Sequence, residues 1–233
     1  MVAQFWEHEG LHPEGFFSFG HSGTLVRQFQ RYLTPRKLRI VDFGAGRGDL
    51  IDEVIPRHLC AAIEFSHAAT DHLNDRFKRH GQFLGARCVD QAMPWPPGFD
   101  VGFLIEVIEH VYDAELGRTL SLLHDLIKPG GSLIVTTPND EDRAPNLIRS
   151  PETGRLFHRW QHVRSWSRQS LSQLLAGAGF DPIEIAETNF DISIHTSARS
   201  RTLPYRIIRT AALQAAMWRR KPPHLYAIAR RRG

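Results

Sequence analysis

The sequence predicts an α/β fold, a parallel sheet covered by helices on both faces, and three observations predict it. Several short runs are apolar on both faces of an extended chain, as in Leu38–Phe43, Cys60–Phe65 and Phe99–Ile105. Most are followed by a polar or Gly/Pro turn and then an amphipathic stretch, the alternation that builds parallel sheets. The first run ends in a glycine-rich loop, Val41-Asp42-Phe43-Gly44-Ala45-Gly46-Arg47-Gly48, that opens into a helix. With 42% hydrophobic and 23% charged residues, the 233-residue chain falls outside the collagen-like, low-complexity and disordered classes.

Taken in order, strands are expected over 38–43, 60–65, 86–90, 99–105 and 132–137. A helix is expected over 113–127, with Leu116, Leu120, Leu123 and Ile127 on one face and Asp113 as its N-cap. Lys128-Pro129-Gly130-Gly131 stops it. A second helix runs from Ser167 to Ala178, capped by Ser167 and ended by Gly179. Residues 182–188 and 224–230 read as two closing strands. Residues 138–166, with three prolines, and 192–222 read as long insertions, the kind that form lids or substrate modules.

Cys60 and Cys88 stand far apart with no CxxC, which supports neither a disulfide scaffold nor a structural zinc. The N-terminus lacks the pattern of a signal peptide, and no apolar run reaches the roughly 18 residues of a membrane span. A cytoplasmic protein, peripheral at a membrane at most, is expected. Ten of the 29 Lys and Arg residues follow Asp191 and no acidic residue does, leaving 19 basic against 25 acidic residues before that point. Residues 199–221 are thus a basic segment suited to an anionic surface, or a solvated basic face.

Glycines 44, 46 and 48 let the backbone approach a ligand closely. A dinucleotide fingerprint would need glycine where Asp49 stands, and Asp42 would oppose a pyrophosphate. A cationic ligand reverses that argument. S-adenosylmethionine, with a sulfonium and an α-ammonium, fits the loop better than NAD. Glu64, ending the second strand, can accept both ribose hydroxyls, and Asp90, ending the third, can accept the adenine amino group.

VDFGAGRGD, IEF, CVDQAMPWPPGFDVGFLIEVIEHV, LIKPGGSLIVTTPN and LLAGAGF together resemble the class I S-adenosylmethionine-dependent methyltransferases. The resemblance implies a Rossmann-like, doubly wound, seven-stranded sheet with the last strand antiparallel, plus a substrate-covering insertion. It implies a cofactor set of Asp42, Gly44, Ala45, Gly46, Glu64, Phe65, Asp90, Gln91 and Glu106, with Met93 near the adenine. The expected organisation is an N-terminal helical cap (1–37), the methyltransferase core (38–191), a basic insertion (192–222) and a closing strand with basic tail (223–233).

Glu106-Val107-Ile108-Glu109-His110 places two carboxylates and an imidazole at i, i+3 and i+4, one face if the segment is helical. With His162 as a fourth group, the set could hold a divalent cation such as magnesium or zinc. His110 or His162 could instead act as general base toward a hydroxyl, or simply pack. Similar spacing occurs in the ubiquinone-type catechol and small-RNA 2′-O-methyltransferases, though the runs that accompany it there are missing here. The expected activity is methyl transfer, principally O-methylation of a small molecule or of a glycan- or lipid-linked acceptor. RNA 2′-O-methylation and a non-catalytic cofactor-binding module are the alternatives.

Overall fold

The computed structural model describes residues 18–33, 36–190 and 221–233. Its centre is a seven-stranded sheet of β1 (Arg39–Phe43), β2 (Leu59–Glu64), β3 (Phe83–Cys88), β4 (Phe99–Ile105), β5 (Ile127–Pro138), β8 (Phe180–Thr188) and β9 (His224–Arg231). The strand order is β3-β2-β1-β4-β5-β9-β8. β1 to β5 pair in parallel, and β9 runs antiparallel to both β5 and β8. Among the described residues the only other sheet is a two-stranded ribbon, β6 (Leu147–Arg149) against β7 (Leu156–His158), within the stretch read from sequence as irregular.

Side chains alternate across the sheet, so each face collects its own core. Val41, Phe43, Ile63, Leu104 and Val135 pack against α4 (Asp113–Leu126) and α5 (Arg168–Gly177) through Leu116, Leu120, Leu123, Leu171 and Leu175. On the other face Ile40, Cys60, Ala62, Phe103 and Ile134 meet α1 (Ser18–Gln28), α2 (Asp49–Val54) and α3 (His67–Phe77) through Leu25, Ile51, Val54, Leu73 and Phe77. Burial on both faces explains why the strands lack polar alternation. Cys60 and Cys88 are free thiols in this core.

Ser167 caps α5 in a full capping box with Ser170. The expected Asp113 cap is not formed. Tyr112 occupies the N-cap in extended conformation without a side-chain bond, and Asp113 is the first helical residue. Its carboxylate turns outward to Arg164 Nη1, 2.7 Å away. The basic segment 199–221, except Lys221, lies outside the described residues, as do residues 1–17 of the expected N-terminal cap. No helix among the described residues is long and apolar enough to cross a membrane.

Candidate active site

Parallel strands end at one edge of the sheet, and there the predicted acids and glycines gather. After β1 the chain turns through Gly44 (φ 75°) and Gly48 (φ 85°), both left-handed. A Cβ on Gly44 would stand 2.5 Å from Val107 Cγ2, and one on Gly48 2.5 Å from Phe77 Cε2. Glycine is therefore imposed by close packing as well as by φ. Arg76 on α3 holds the loop from outside, donating to the Arg47 carbonyl and to Asp49 Oδ1.

Beneath the loop lie two buried carboxyls, Asp42 and Glu64. Glu64 accepts from the Gly46 and Phe65 backbone N–H groups. Burial, opposed by those two bonds, still pushes its pKa up to about 7. Burial, with the charge of Glu64 adding to it, raises Asp42 to about 8. Two acids held this high give up their protons readily only when positive charge arrives beside them. Such a pair is the electrostatic complement of a cation, and the loop above it is held by its own N–H groups, Gly44 to the Ile63 carbonyl, Gly46 to Glu64 and Gly48 to the Ala45 carbonyl.

Around this pair, Phe65 packs edge-on to Phe43 with centroids 5.3 Å apart, and Ala45 packs against the core beneath the loop. Asp90 is exposed at the end of β3 and meets His67 Nε2 at 2.9 Å. The hydrogen bond from His67 lowers its pKa. Gln91 closes the turn by accepting from the Cys88 N–H at 2.9 Å. Met93 is half-buried against the core.

The second group of residues follows β4. Glu109 is buried, and Thr137 Oγ1 donates to its Oε2 at 3.0 Å. Its Oε1 is buried with no hydrogen-bond partner, 3.8 Å from His110 Nε2. Burial and then the charge of Glu106 raise the Glu109 pKa well above its ordinary value. His110 is pushed down to about 3 by burial and then by the charge of His162, while backbone bonds to Gln161 and Trp160 pull the other way.

His162 arrives from 52 residues beyond His110 because Val163 N–H bonds the Glu109 carbonyl at 2.8 Å. The His110 and His162 rings meet edge-on at 4.8 Å. One ligand atom from each of Glu109, His110 and His162 lies within 4.8 Å of the others. A hard or borderline divalent cation fits such a donor set, and the orphaned Glu109 oxygen is the atom that would gain most from one.

Glu106 does not join this trio. The expectation of one helical face fails because β4 leads into a tight turn, with His110 N–H bonded to the Val107 carbonyl. Glu106 itself sits at φ 53°, left-handed, a conformation that costs a non-glycine residue energy and clusters at functional positions. Its Oε1 lies 3.9 Å from His224 Nδ1 on β9. Its backbone N–H bonds the Thr136 carbonyl at 3.0 Å, which keeps it at the strand-end edge.

Sequence reasoning missed Glu141 and His158. Glu141 pairs with His162 Nδ1 and lies 3.4 Å from His158 Nε2, and the His158 and His162 rings stack at 4.5 Å. The His-x-x-x-His spacing was the one available signal. Nothing in the sequence tied Glu141 to it.

The strand order, the antiparallel β9 and the glycine loop after β1 together define a Rossmann-like α/β protein. A model of the methyltransferase domain matches residues 20–185, and the chain belongs to the class I S-adenosylmethionine-dependent methyltransferases. Its cofactor is S-adenosylmethionine. The chain is 28% identical over 214 residues to the ubiquinone biosynthesis O-methyltransferase of Azorhizobium caulinodans, covering 82% of this chain and 81% of that one. Among solved structures, the methyltransferase bound to the Trm112 activator of Haloferax volcanii superposes with a TM-score of 0.66 at 14% identity, covering 100% and 98% of the two chains. The 1,6-didemethyltoxoflavin-N1-methyltransferase of Burkholderia thailandensis gives 0.62 at 16% identity, covering 100% and 87%. At these identities the structures speak for the fold alone.

Proposed function

We propose that the protein methylates a hydroxyl oxygen of a small molecule, or of a glycan- or lipid-linked acceptor, by in-line transfer from S-adenosylmethionine. The observation that carries this reading is the buried Glu109–His110–His162 trio beside the cofactor edge. The sulfonium is already an activated leaving group, so the protein chiefly positions the reactants. A hydroxyl nucleophile, protonated at neutral pH, also needs a proton acceptor, and the trio offers candidates for one. The name of the relative in Azorhizobium, an O-methyltransferase, points the same way.

In this reading Asp42, Gly44, Ala45 and Gly46 line the methionine end and Glu64 holds the ribose hydroxyls. Phe65, Asp90 and Gln91 border the adenine, and Glu106 stands at the methionine–acceptor boundary. His162 is the candidate general base. His110, deeply buried and kept neutral, is the second imidazole of the site. The two free buried thiols suit a reducing cytoplasm.

A second reading is favoured by the orphaned Glu109 oxygen: Glu109, His110 and His162, with Glu106 as a more distant candidate, hold magnesium or zinc. When bound, such a cation would lower the pKa of an acceptor hydroxyl. The test is mass spectrometry of metabolites and lipids from a deletion strain, followed by incubation of the accumulating species with purified protein and methyl-labelled cofactor. A product heavier by one labelled methyl on oxygen is expected. A label on nitrogen or carbon would overturn the reading, and chelator sensitivity separates the cation from the base.

A further inference from the structure

Two overlapping side-chain clusters share His162, and the hydrogen bonds around them show that they are not equivalent. One is Glu109, His110 and His162; the other is Glu141, His158 and His162. The chain between His158 and His162 folds back on itself. Gln161 adopts φ 60°, and its N–H bonds the His158 carbonyl at 2.8 Å. This turn points two backbone N–H groups, those of Trp160 at 3.3 Å and His162 at 3.2 Å, at His158 Nδ1.

A nitrogen that accepts from two donors carries no proton of its own. In the neutral His158 ring the single proton therefore sits on Nε2. That Nε2–H faces Glu141 Oε1 at 3.4 Å. A cation at His158 Nε2 would have to displace this proton to Nδ1, against two N–H donors. The outer cluster is therefore a poor ligand set despite its composition.

Glu141 has a different use. Burial alone would raise its carboxyl, yet its hydrogen bond with His162 holds it below the ordinary carboxylate value. An ionised carboxylate only accepts, and its partner on His162 is Nδ1. Asn146 Nδ2 also donates to Glu141 Oε1 at 3.3 Å, and Arg143 Nη1 donates to the His162 carbonyl at 3.3 Å, which fixes both residues in place.

We propose that Glu141 is a positioning residue that holds His162 in the Nδ1–H tautomer, leaving the Nε2 lone pair as the one that faces the acceptor side. This deepens the reading of His162 as base or ligand: in either role the working atom is Nε2. A carboxylate on the far nitrogen fixes the tautomer and orientation of such a ring and raises its basicity. His158 is the second point of the same clamp, stacked on His162 with its Nε2 3.4 Å from the same carboxylate.

The test is long-range proton–nitrogen NMR of the full chain labelled at histidine nitrogens, with the His162 ring assigned by its loss in His162→Gln. In the unsubstituted protein the neutral His162 ring should be protonated at Nδ1. Glu141→Ala should shift it predominantly to the Nε2–H form. Glu141→Gln, whose amide oxygen still accepts, should restore Nδ1–H. A His162 ring already in the Nε2–H form without substitution would overturn the proposal, and that measurement needs no variant to fold. So would a tautomer unchanged in Glu141→Ala.

Zinc titrated into the same sample should perturb Nε2 of His162 and leave Nδ1 protonated. Loss of the Nδ1 proton on adding zinc would make the outer cluster the ligand set and sink the assignment. If no zinc binds, the cation reading fails while the tautomer result stands.

Discussion

The two halves of the strand-end edge solve the same problem, placing buried ionisable groups, by opposite means. On the β1–β3 side Asp42 and Glu64 stand on adjacent strands, so sheet register alone places them (Asp42 is opposite Ala62, two residues short of Glu64). On the β4–β5 side Glu109 and His110 sit in a turn, and His162 reaches them through a backbone bond between distant segments. The first half stores its proton-binding capacity in acids pushed up to about 7 and 8. The second mixes an acid pushed up with an imidazole pushed down. A cationic ligand suits the first; a proton in transit suits the second. Substitutions should therefore separate cofactor affinity from transfer.

The sharpest separation is expected for His162→Ala. Methyl transfer should fall by on the order of 10²–10⁴-fold, the contribution of a positioned general base. Cofactor affinity by calorimetry should stay within about twofold, and an equal loss in both would erase the distinction between the halves. Glu64→Ala should do the reverse and weaken S-adenosylmethionine by about 10–100-fold, the worth of charged hydrogen bonds to the ribose. Unchanged affinity would remove Glu64 from the cofactor site.

Next in size is a pH effect on the cofactor side. Binding a cation favours ionised Asp42 and Glu64, so affinity should rise by about tenfold between pH 6 and pH 8 and level off above. Protons should be released on binding, seen as a buffer-dependent enthalpy. A flat profile would mean that the two acids do not sense the ligand charge.

The ligand-free protein should show the mirror image. Both acids bind protons more tightly folded than unfolded, so stability is greatest below their unfolded pKa values and falls as pH rises from about 4 toward 8. Asp42→Asn should flatten that slope and raise Tm at pH 8 by on the order of 5 °C. A steeper slope would contradict the assignment. The smallest effect belongs to Asp113→Asn. Its carboxylate is 95% exposed in its pair with Arg164, and the change in stability should stay below about 0.5 kcal/mol by denaturant titration.

The same contrast governs what could be read from sequence. Strand ends announce themselves by apolar runs that stop, and Asp42, Glu64 and Asp90 lie where those runs stop. The acceptor side depends on backbone conformations that no residue type declares. Glu106 takes a left-handed φ that breaks the helical face assumed for Glu106, Glu109 and His110. Gln161 does likewise, and its turn is what stacks His158 on His162. Glu141 joins that stack across 21 residues of sequence, brought there by the pairing of Asn139 with Trp166 and the Asp140 N–H bond to the Trp166 carbonyl at the base of the excursion.

Gly44 and Val107 press together where the two halves meet, with room for no further atom between them. Val107 is one residue from Glu106 and two from Glu109, so the wall of the acceptor turn is also the back wall of the cofactor loop. The two positions are consequently not free to drift apart over evolution. Enlarging residue 107 would push against Gly44 and shift the glycine loop with it. The excursion between β5 and α5 is under no such constraint at its ribbon, where Leu147, Ile148, Leu156 and Phe157 are exposed.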